Sequence, residues 1–384
     1  MRLAILGAVL LVFGGIAIAT GILKPADAAA VGERVWPILL FAVSITIVAE
    51  LAAEAGVFAA VAERTALAAR GWAALLWLCV IALAVVSTAF LGLDTTAVLL
   101  TPVVALVARA NGLPPLPFAL TTVWLANTAS LILPVSNLTN LLSLRALGFS
   151  SPGRFVALML VPAIIAIVVP CAILLIVHRR DFASRFEPGP VTPTSDRTLF
   201  WISCGVLVVL LPLLVTGIPV WIPATAAALV LAVAFAIRRR SALRFRLVPW
   251  QLVLFASGLF LVVEAGHSLG LTMLLSQAAG SGSDLGALLR LSLSGMLGAN
   301  AVDNLPAYLA LEPVAGSPVR LAALLIGVNA GSLITPWASL ATLLWHSRLQ
   351  SLGIEVRWSR YLLLGVIAAP LTVVLATIGL ALTS

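Results

Sequence analysis

The sequence predicts an all-α polytopic membrane protein built from two inverted repeats, each containing a re-entrant hairpin and an interrupted helix. Three observations lead there. The 384 residues are 62% hydrophobic and 9% charged, with mean hydropathy +1.18, against roughly 45 to 50% apolar and about 25% charged in a soluble domain. Apolar runs long enough for a bilayer core of about 30 Å recur from one end to the other. One fifteen-residue segment also occurs twice, WPILLFAVSITIVAE (Trp36 to Glu50) and WQLVLFASGLFLVVE (Trp250 to Glu264), aligned without a gap at an offset of 214.

In chain order, the full-length apolar candidates are residues 3 to 20, 36 to 58, 116 to 142, 154 to 178, 199 to 216, 219 to 236, 250 to 268, 318 to 345 and 360 to 383, which makes nine crossings. The first could imitate a secretory leader behind Arg2, but another apolar run follows at once, so a retained span is expected. Residues 71 to 109 and 286 to 312 each have two apolar arms around a polar, acid-bearing tip. They read as hairpins, because a backbone break at membrane depth is tolerated only where protein or a watery cavity covers it. The domains expected are therefore a first repeat over 1–178, a cytoplasmic linker over 179–198, a linking span over 199–216 and a second repeat over 219–384. The linker, HRRDFASRFEPGPVTPTSDR, is the longest hydrophilic connection.

The formal charge of +8 is explained by topology and gives no reason to invoke nucleic acid, since the basic residues sit almost entirely between apolar runs. With the N-terminus cytoplasmic, Arg2, Arg64, Arg70, Arg109, Arg179, Arg180, Arg185, Arg197, Arg238, Arg239, Arg240, Arg244, Arg246, Arg348, Arg357 and Arg360 fall inside. Lys24, Arg34, Arg145, Arg154, Arg290 and Arg320 fall outside. Sixteen against six is a strong positive-inside bias and puts the C-terminus outside an inner (plasma) membrane. Under this layout the two Trp-to-Glu copies run in opposite directions, a frequent plan for secondary transporters. Cys79, Cys171 and Cys204 lie far apart in apolar runs and read as small core residues.

Four polar segments stand out: LGLDTTAVLLTP (Leu91 to Pro102), ANTASLILPVSNLTN (Ala126 to Asn140), GANAVDNLP (Gly298 to Pro306) and NAGSLITPWASLATLLW (Asn329 to Trp345). Each joins polar groups to small residues and a proline, which frees backbone carbonyls and exposes half-helix N-termini near the bilayer midplane. A hydrated site at the repeat interface would keep these groups out of lipid. Asp94 and Asp303 mark the hairpin tips, and neither tip motif contains Lys or Arg. A carboxylate so placed can exchange a proton or ligate sodium. The alternative is that each caps its own arm, Asp94 towards Thr95 and Thr96, Asp303 towards Asn304. Glu50 and Glu264, equivalent in the repeat, are the reserve acids for proton coupling. Thr95, Thr96, Asn127, Thr128, Ser130, Ser136, Asn137, Thr139, Asn140, Asn300, Asn304, Asn329, Ser332, Thr335 and Ser339 supply donors and acceptors without formal charge. That inventory suits a neutral polyhydroxyl solute or a dehydrated cation better than a dicarboxylate, although half-helix N-termini alone can hold anions. No nucleotide fingerprint is present, no cofactor is expected, and no enzymatic constellation appears.

These motifs resemble the ArsB-type arsenite permease family of the ion transporter superfamily, related to NhaD-type sodium/proton antiporters and to divalent-anion/sodium symporters. Asp94 with Thr101-Pro102, the Pro249 to Gly266 segment, AVDNLP and NAGSLITPWASLATLLW carry the likeness over most of the chain. Relative to the family pattern, Leu93 stands for asparagine, Asn127 and Asn329 for aspartates, and Asp303 for the first of two asparagines. The resemblance implies export of arsenite, and of antimonite, by proton antiport, an elevator-like movement of a transport region built from the hairpins and interrupted helices against a scaffold region, and a homodimer. Sodium/proton antiport, divalent-anion/sodium symport and a non-transporting membrane scaffold are the alternatives, in that order. An auxiliary ATPase is compatible with the resemblance, since such a partner need leave no motif in the chain.

Overall fold

The computed structural model describes residues 2–146, 152–187 and 196–384, and among these it contains helices and no strand. The first half comprises α1 (Arg2–Ala19), α2 (Pro25–Glu54), α3 (Val57–Ala68), α4 (Ala73–Leu91), α5 (Leu93–Ala110), α6 (Pro115–Ile132), α7 (Leu138–Ala146) and α8 (Pro152–Val177). After the linker come α9 (Arg197–Leu213) and α10 (Trp221–Arg238). The second half continues with α11 (Trp250–Ser268), α12 (Leu271–Ala279), α13 (Leu285–Val302), α14 (Asn304–Ala315), α15 (Pro318–Ala330), α16 (Leu340–Ser351) and α17 (Trp358–Thr383). Proline in the first turn starts α2, α6 and α15, where its missing N–H costs nothing. Asp284 caps α13 through the Gly286 N–H at 3.1 Å.

Among the described residues, nine helices are long and apolar enough to cross a membrane. That number equals the expected count, but the members differ: the hairpin arms α4, α5 and α13 qualify on length, while α1, α9 and α15 fall short. Helix α2 also starts at Pro25, well before the apolar run at Trp36, because Asp27, Glu33 and Arg34 are accommodated in its first turns. Arg34 there forms an ion pair with Glu312 of α14.

Aromatic contacts fix one end of the bundle. Phe182 stacks on Trp77 at 4.4 Å and meets Phe118 edge-on at 5.6 Å, and Trp77 Nε1 donates to Thr121 Oγ1 at 2.8 Å. The starts of α4 and α6 therefore lie together, and α4 and α5 must form a U-turn between them. At the other end, Arg320 donates to the carbonyls of Gly280 (2.6 Å), Gly282 (2.7 Å) and Ala315 (2.8 Å), tying the start of α13 to the end of α14. Residues 188–195 of the linker lie outside the described residues. Its first part is more than a connection: Arg179–Phe182 forms a helical turn, and Phe186 N–H donates to Gly71 O at 2.9 Å.

Helix directions establish the inverted repeat. Gly7 packs on Phe255 and Gly258 on Leu11, so α1 runs parallel to α11; a Cβ at Gly7 would lie 2.6 Å from Phe255 N, and one at Gly258 2.7 Å from Leu11 N. Trp36 meets Trp221 at 5.4 Å and Ser44 Oγ meets Thr225 Oγ1 at 3.0 Å, so α2 runs parallel to α10. Glu50, late in α2, shares a hollow with Trp250 and Gln251 at the start of α11, so the two repeat copies are antiparallel.

Both hairpins turn inside the protein. Ser136 Oγ, in the gap between α6 and α7, donates to Ala89 O beside the first tip at 3.0 Å, and Asn304 N–H at the second tip donates to Ala338 O in the gap between α15 and α16 at 3.0 Å. The turns have matching backbones, Gly92 at φ 89°, ψ 163° and Asp303 at φ 121°, ψ 156°, each closing its first arm by an N–H bond to the carbonyl four residues back. This overlays Gly92 on Asp303 and corrects the expected matching of the two acids, since Asp94 sits two residues inside its arm. Glycine adopts this conformation freely; an aspartate there stores on the order of 1 to 3 kcal/mol. Asp303 offsets part of that by accepting from Leu305 N–H at 3.1 Å.

The tip geometry predicts a stability series, read by thermal unfolding in a neutral detergent. Asp303→Gly should melt at or above the wild type, because relief of strain outweighs a cap loss of a few tenths of a kcal/mol. Asp303→Ala should be the least stable of the three, by about 1 to 2 kcal/mol, having lost the cap and kept the strain. Gly92→Ala should cost a similar amount through its backbone alone, since the added Cβ would meet only Ser136 O at 3.5 Å. An Asp303→Gly protein less stable than Asp303→Ala would refute the strain argument.

Candidate functional site

The two interrupted helices are copies of one another at an offset of 202, identical at Asn127/Asn329, Ser130/Ser332, Leu131/Leu333, Ile132/Ile334, Pro134/Pro336 and Leu138/Leu340. In each, the proline lacks an N–H to continue the ladder, and the chain goes extended before the second half starts: Leu133 and Asn137 in the first gap, Ser339 in the second. Wide π-helical turns occur at Thr96–Leu100 in α5 and at Ile326–Ala330 in α15.

Most of the polar groups picked out from sequence are spent holding the gaps together. Asn329 Oδ1 accepts from Asn137 Nδ2 at 2.8 Å and Thr139 Oγ1 at 3.1 Å, and Asn329 Nδ2 donates to Asn140 Oδ1 at 3.0 Å. Ser332 Oγ donates to Asn127 Oδ1 at 3.3 Å. Asn140 Nδ2 also donates to the carbonyls of Ser130 (2.6 Å) and Leu133 (3.1 Å), which the first gap releases. Asn300 does the corresponding work in the second half: its Oδ1 accepts from Ile334 N–H (3.2 Å) and Thr335 N–H (2.9 Å), and its Nδ2 donates to Gly331 O (2.8 Å). Thr96 is buried against Ser87 and Thr88, with bonds of 2.9 Å to each. Thr128 is buried as well.

Between the tips lies a cavity of about 80 Å³, large enough to hold water. Of the expected residues it is lined by Asp94, Thr95, Ser136, Asn137, Asp303 and Asn304. It is not lined by Thr96, Asn127, Thr128, Ser130, Asn140, Asn300, Asn329, Ser332 or Thr335. Reading the polar motifs alone missed the opposite wall, formed by Phe41, Ala42, Ile45 and Thr46 of α2 with Leu252 and Phe255 of α11. The signal was available in the repeat, which pairs Phe41 with Phe255. Ser339, equivalent to Asn137 in the repeat of the gaps, lines the cavity too.

A larger hollow of about 410 Å³ adjoins this cavity and shares Thr46, Asp94, Thr95, Leu252 and Leu340 with it. It reaches the end of the bundle that bears Glu50 and Leu247 to Gln251. Glu264 is elsewhere, near Glu312 at the opposite end.

The two acids differ in their bonding. Asp303 caps its arm, and the Leu340 N–H also faces its carboxyl. Asp94 makes no side-chain hydrogen bond among the described residues and does not cap α5, contrary to the capping alternative. The two carboxyls act on each other electrostatically. Four helix N-termini, those of α5, α7, α14 and α16, converge on the cavity through Leu93, Leu138, Asn304 and Leu340. At roughly half a positive charge each they balance two ionised carboxylates. No Lys, Arg or His lines the cavity among the described residues.

Comparison with known proteins places this arrangement in a family. The citrate transporter family (CitMHS) profile matches residues 3–318. The chain is 30% identical to the arsenical pump membrane protein of Escherichia coli (strain K12), over 99% of this chain and 93% of the relative. It is 30% identical to the protein of the same description from Yersinia enterocolitica, over 96% and 92%. A putative arsenical pump membrane protein of Bacillus subtilis (strain 168) is 27% identical over 74% of each chain. The fold is shared with the Alcanivorax borkumensis YdaH transporter, described as having an unusual topology: TM-score 0.61, 14% identity, 99% of this chain and 97% of that one covered. With identity at this level over nearly the full length of both sequences, the chain belongs to the arsenical pump membrane protein family of integral membrane transporters.

Proposed function

We propose that the protein exports arsenite in exchange for protons, with Asp94 as the proton carrier and Asp303 as its partner in the cavity. The observation that carries this reading is the cavity's charge balance, in which two carboxyls face four helix N-termini with no basic side chain. Arsenous acid is mostly neutral at neutral pH, and its hydroxyls match acceptors and donors such as Asp94, Thr95, Ser136, Asn137 and Asn304. Asn127, Asn140, Asn300 and Asn329 act as supports for the gaps. Antimonite, with the same hydroxyl chemistry, is a second cargo on this reading.

The layout suits an alternating cycle. The Trp-to-Glu helices of α2 and α11 form the fixed apolar wall, and the hairpins with the interrupted helices form the moving part. With the basic residues inside, the hollow beside Glu50 opens to the cytoplasm, the N-terminus is cytoplasmic and the C-terminus is outside. Residues 1–178 and 219–384 are then the two repeat units, working in a homodimer. A proton entering down the membrane potential supplies about 2.3 kcal/mol per 100 mV.

Sodium/proton antiport is the second reading, favoured by the same acids together with carbonyls freed at the gaps. Citrate is the cargo named by the matching family profile, but a multiply charged anion would meet Asp94 and Asp303 with no cationic side chain to offset them.

In everted vesicles, arsenite uptake should require an acid interior. Asp94→Asn should reach the membrane and lose coupled flux on the order of tenfold or more. Asp303→Asn, which keeps the cap, should lower flux or alter its pH dependence with expression intact. Wild-type coupling in Asp94→Asn would end its carrier role and turn attention to Glu50. Sodium-driven citrate or succinate uptake with no arsenite flux would move the cargo to the anion class.

Orientation has its own test in a protein whose three cysteines are replaced. An impermeant maleimide should label Ser283→Cys in right-side-out vesicles, and Arg185→Cys and Arg240→Cys only in everted ones. Labelling of positions 185 and 240 from opposite sides would overturn the topology.

A further inference from the structure

Away from the central cavity, the start of α6, the end of α8 and the start of α17 come together at the end of the bundle that bears Arg179 and Arg360. Two hollows meet there, sharing Leu116 and Arg360. The first, about 670 Å³, has an apolar floor of Leu116, Ile176 and Val177 beneath Arg179, Arg180 and Arg360. The second, about 460 Å³, runs along Leu120, Leu363 and Leu364 and has Arg357 at its rim.

Three features narrow the occupant. Charge comes first: Arg179, Arg180, Arg357 and Arg360 make no ion pair or side-chain hydrogen bond among the described residues. The acids nearby are Glu355 and Asp181, and Asp181 is engaged by His178 Nδ1 at 2.9 Å. The floor is the second, since it continues onto the outer surface of the bundle at Ile176, 71% exposed, and Leu363, 65% exposed. A soluble anion would gain nothing from that surface. The third is depth. Trp358 packs on Tyr361 at 5.5 Å and on His346 at 4.4 Å, the kind of aromatic cluster that sits at a headgroup boundary.

We propose that this pair of hollows binds an anionic phospholipid, its phosphodiester held by Arg179, Arg180 and Arg360 and its acyl chains lying along Leu116, Leu120 and Leu363. Basic pockets between transmembrane helices at the cytoplasmic side are suited to such headgroups. The bound lipid bridges the start of α6, the helix that runs into the first gap, to α8 and α17. The site is independent of which solute the transporter carries.

The test is lipid binding by the purified full chain in neutral detergent, counted by native mass spectrometry and followed by thermal unfolding. The probes are phosphatidylglycerol, phosphatidylcholine with the same acyl chains, and glycerol 3-phosphate. Phosphatidylglycerol should bind saturably and at least tenfold more tightly than phosphatidylcholine, raising the melting temperature. Arg179→Gln and Arg360→Gln should each weaken it about fivefold, the equivalent of about 1 kcal/mol per basic residue near the surface. Arg179→Lys should retain most of the binding. Arg348→Gln, at an exposed arginine of α16 outside both hollows, should match the wild type. If the double variant Arg179→Gln/Arg360→Gln does not fold, the single Arg180→Gln gives the same reading. Equal binding of the two lipids, indifference to the arginine substitutions, or full stabilisation by glycerol 3-phosphate alone would each overturn the proposal.

Discussion

A helix broken inside a membrane leaves N–H and carbonyl groups that have no water to turn to, and the rest of this structure follows from how those groups are satisfied. The repair is reciprocal. Asn329 from the second interrupted helix binds Asn137, Thr139 and Asn140 of the first, and Ser332 reaches back to Asn127. These bonds tie the two gaps to each other, while Asn140 satisfies the carbonyls freed at the first and Asn300 of α13 the groups freed at the second. Because the gaps are bound together, the helix halves beyond them start side by side, and the hairpin tips that lean on the gaps meet across a small space. The cavity is a product of the repair, lined in part by the residues that make it, Ser136, Asn137, Asp303 and Asn304, and in part by Asp94, which takes no side-chain bond among the described residues.

That view separates the two acids. Asp303 is part of the framework, since it makes a turn that glycine would make without strain and caps the helix after it. Asp94 is held by nothing in the framework, and it borders both the small cavity and the larger hollow beside it. A group with no structural obligation at such a junction is free to change its protonation state without unfolding its surroundings. Gly92 makes the corresponding turn in the first hairpin without that strain.

The architecture could be read from the chain because its signals are local. Polar tips and prolines within apolar runs show within a dozen residues, and the Trp36 to Glu50 copy at Trp250 to Glu264 shows on direct alignment of two fifteen-residue segments. Partners were not legible. The sequence offers Asn127, Asn140, Asn300 and Asn329 as donors and acceptors, and a solute could have used them as well as a neighbouring helix does. Only the crossing of the two gaps decides between those uses. The apolar wall was hidden for the opposite reason: Phe41 and Phe255 look like any other membrane-helix residue, and only their repeat-related positions distinguish them. The early start of α2 was obscured by Asp27, Glu33 and Arg34, which look like loop residues until Arg34 is seen with Glu312.

The repeat offsets, 214 for the Trp-to-Glu helices, 211 at the tips and 202 at the gaps, mean that the halves agree piece by piece and differ in what joins the pieces. The return arm of the first hairpin runs 18 residues and that of the second 12. A perfect twofold would leave the two facings of the transporter degenerate, since exchanging the halves would convert one into the other at no cost in energy. Unequal arms, and Gly92 set against Asp303, lift that degeneracy. On the proposed alternating cycle, the two facings would then differ in energy before any gradient acts, and the coupled ion would work against or along that difference.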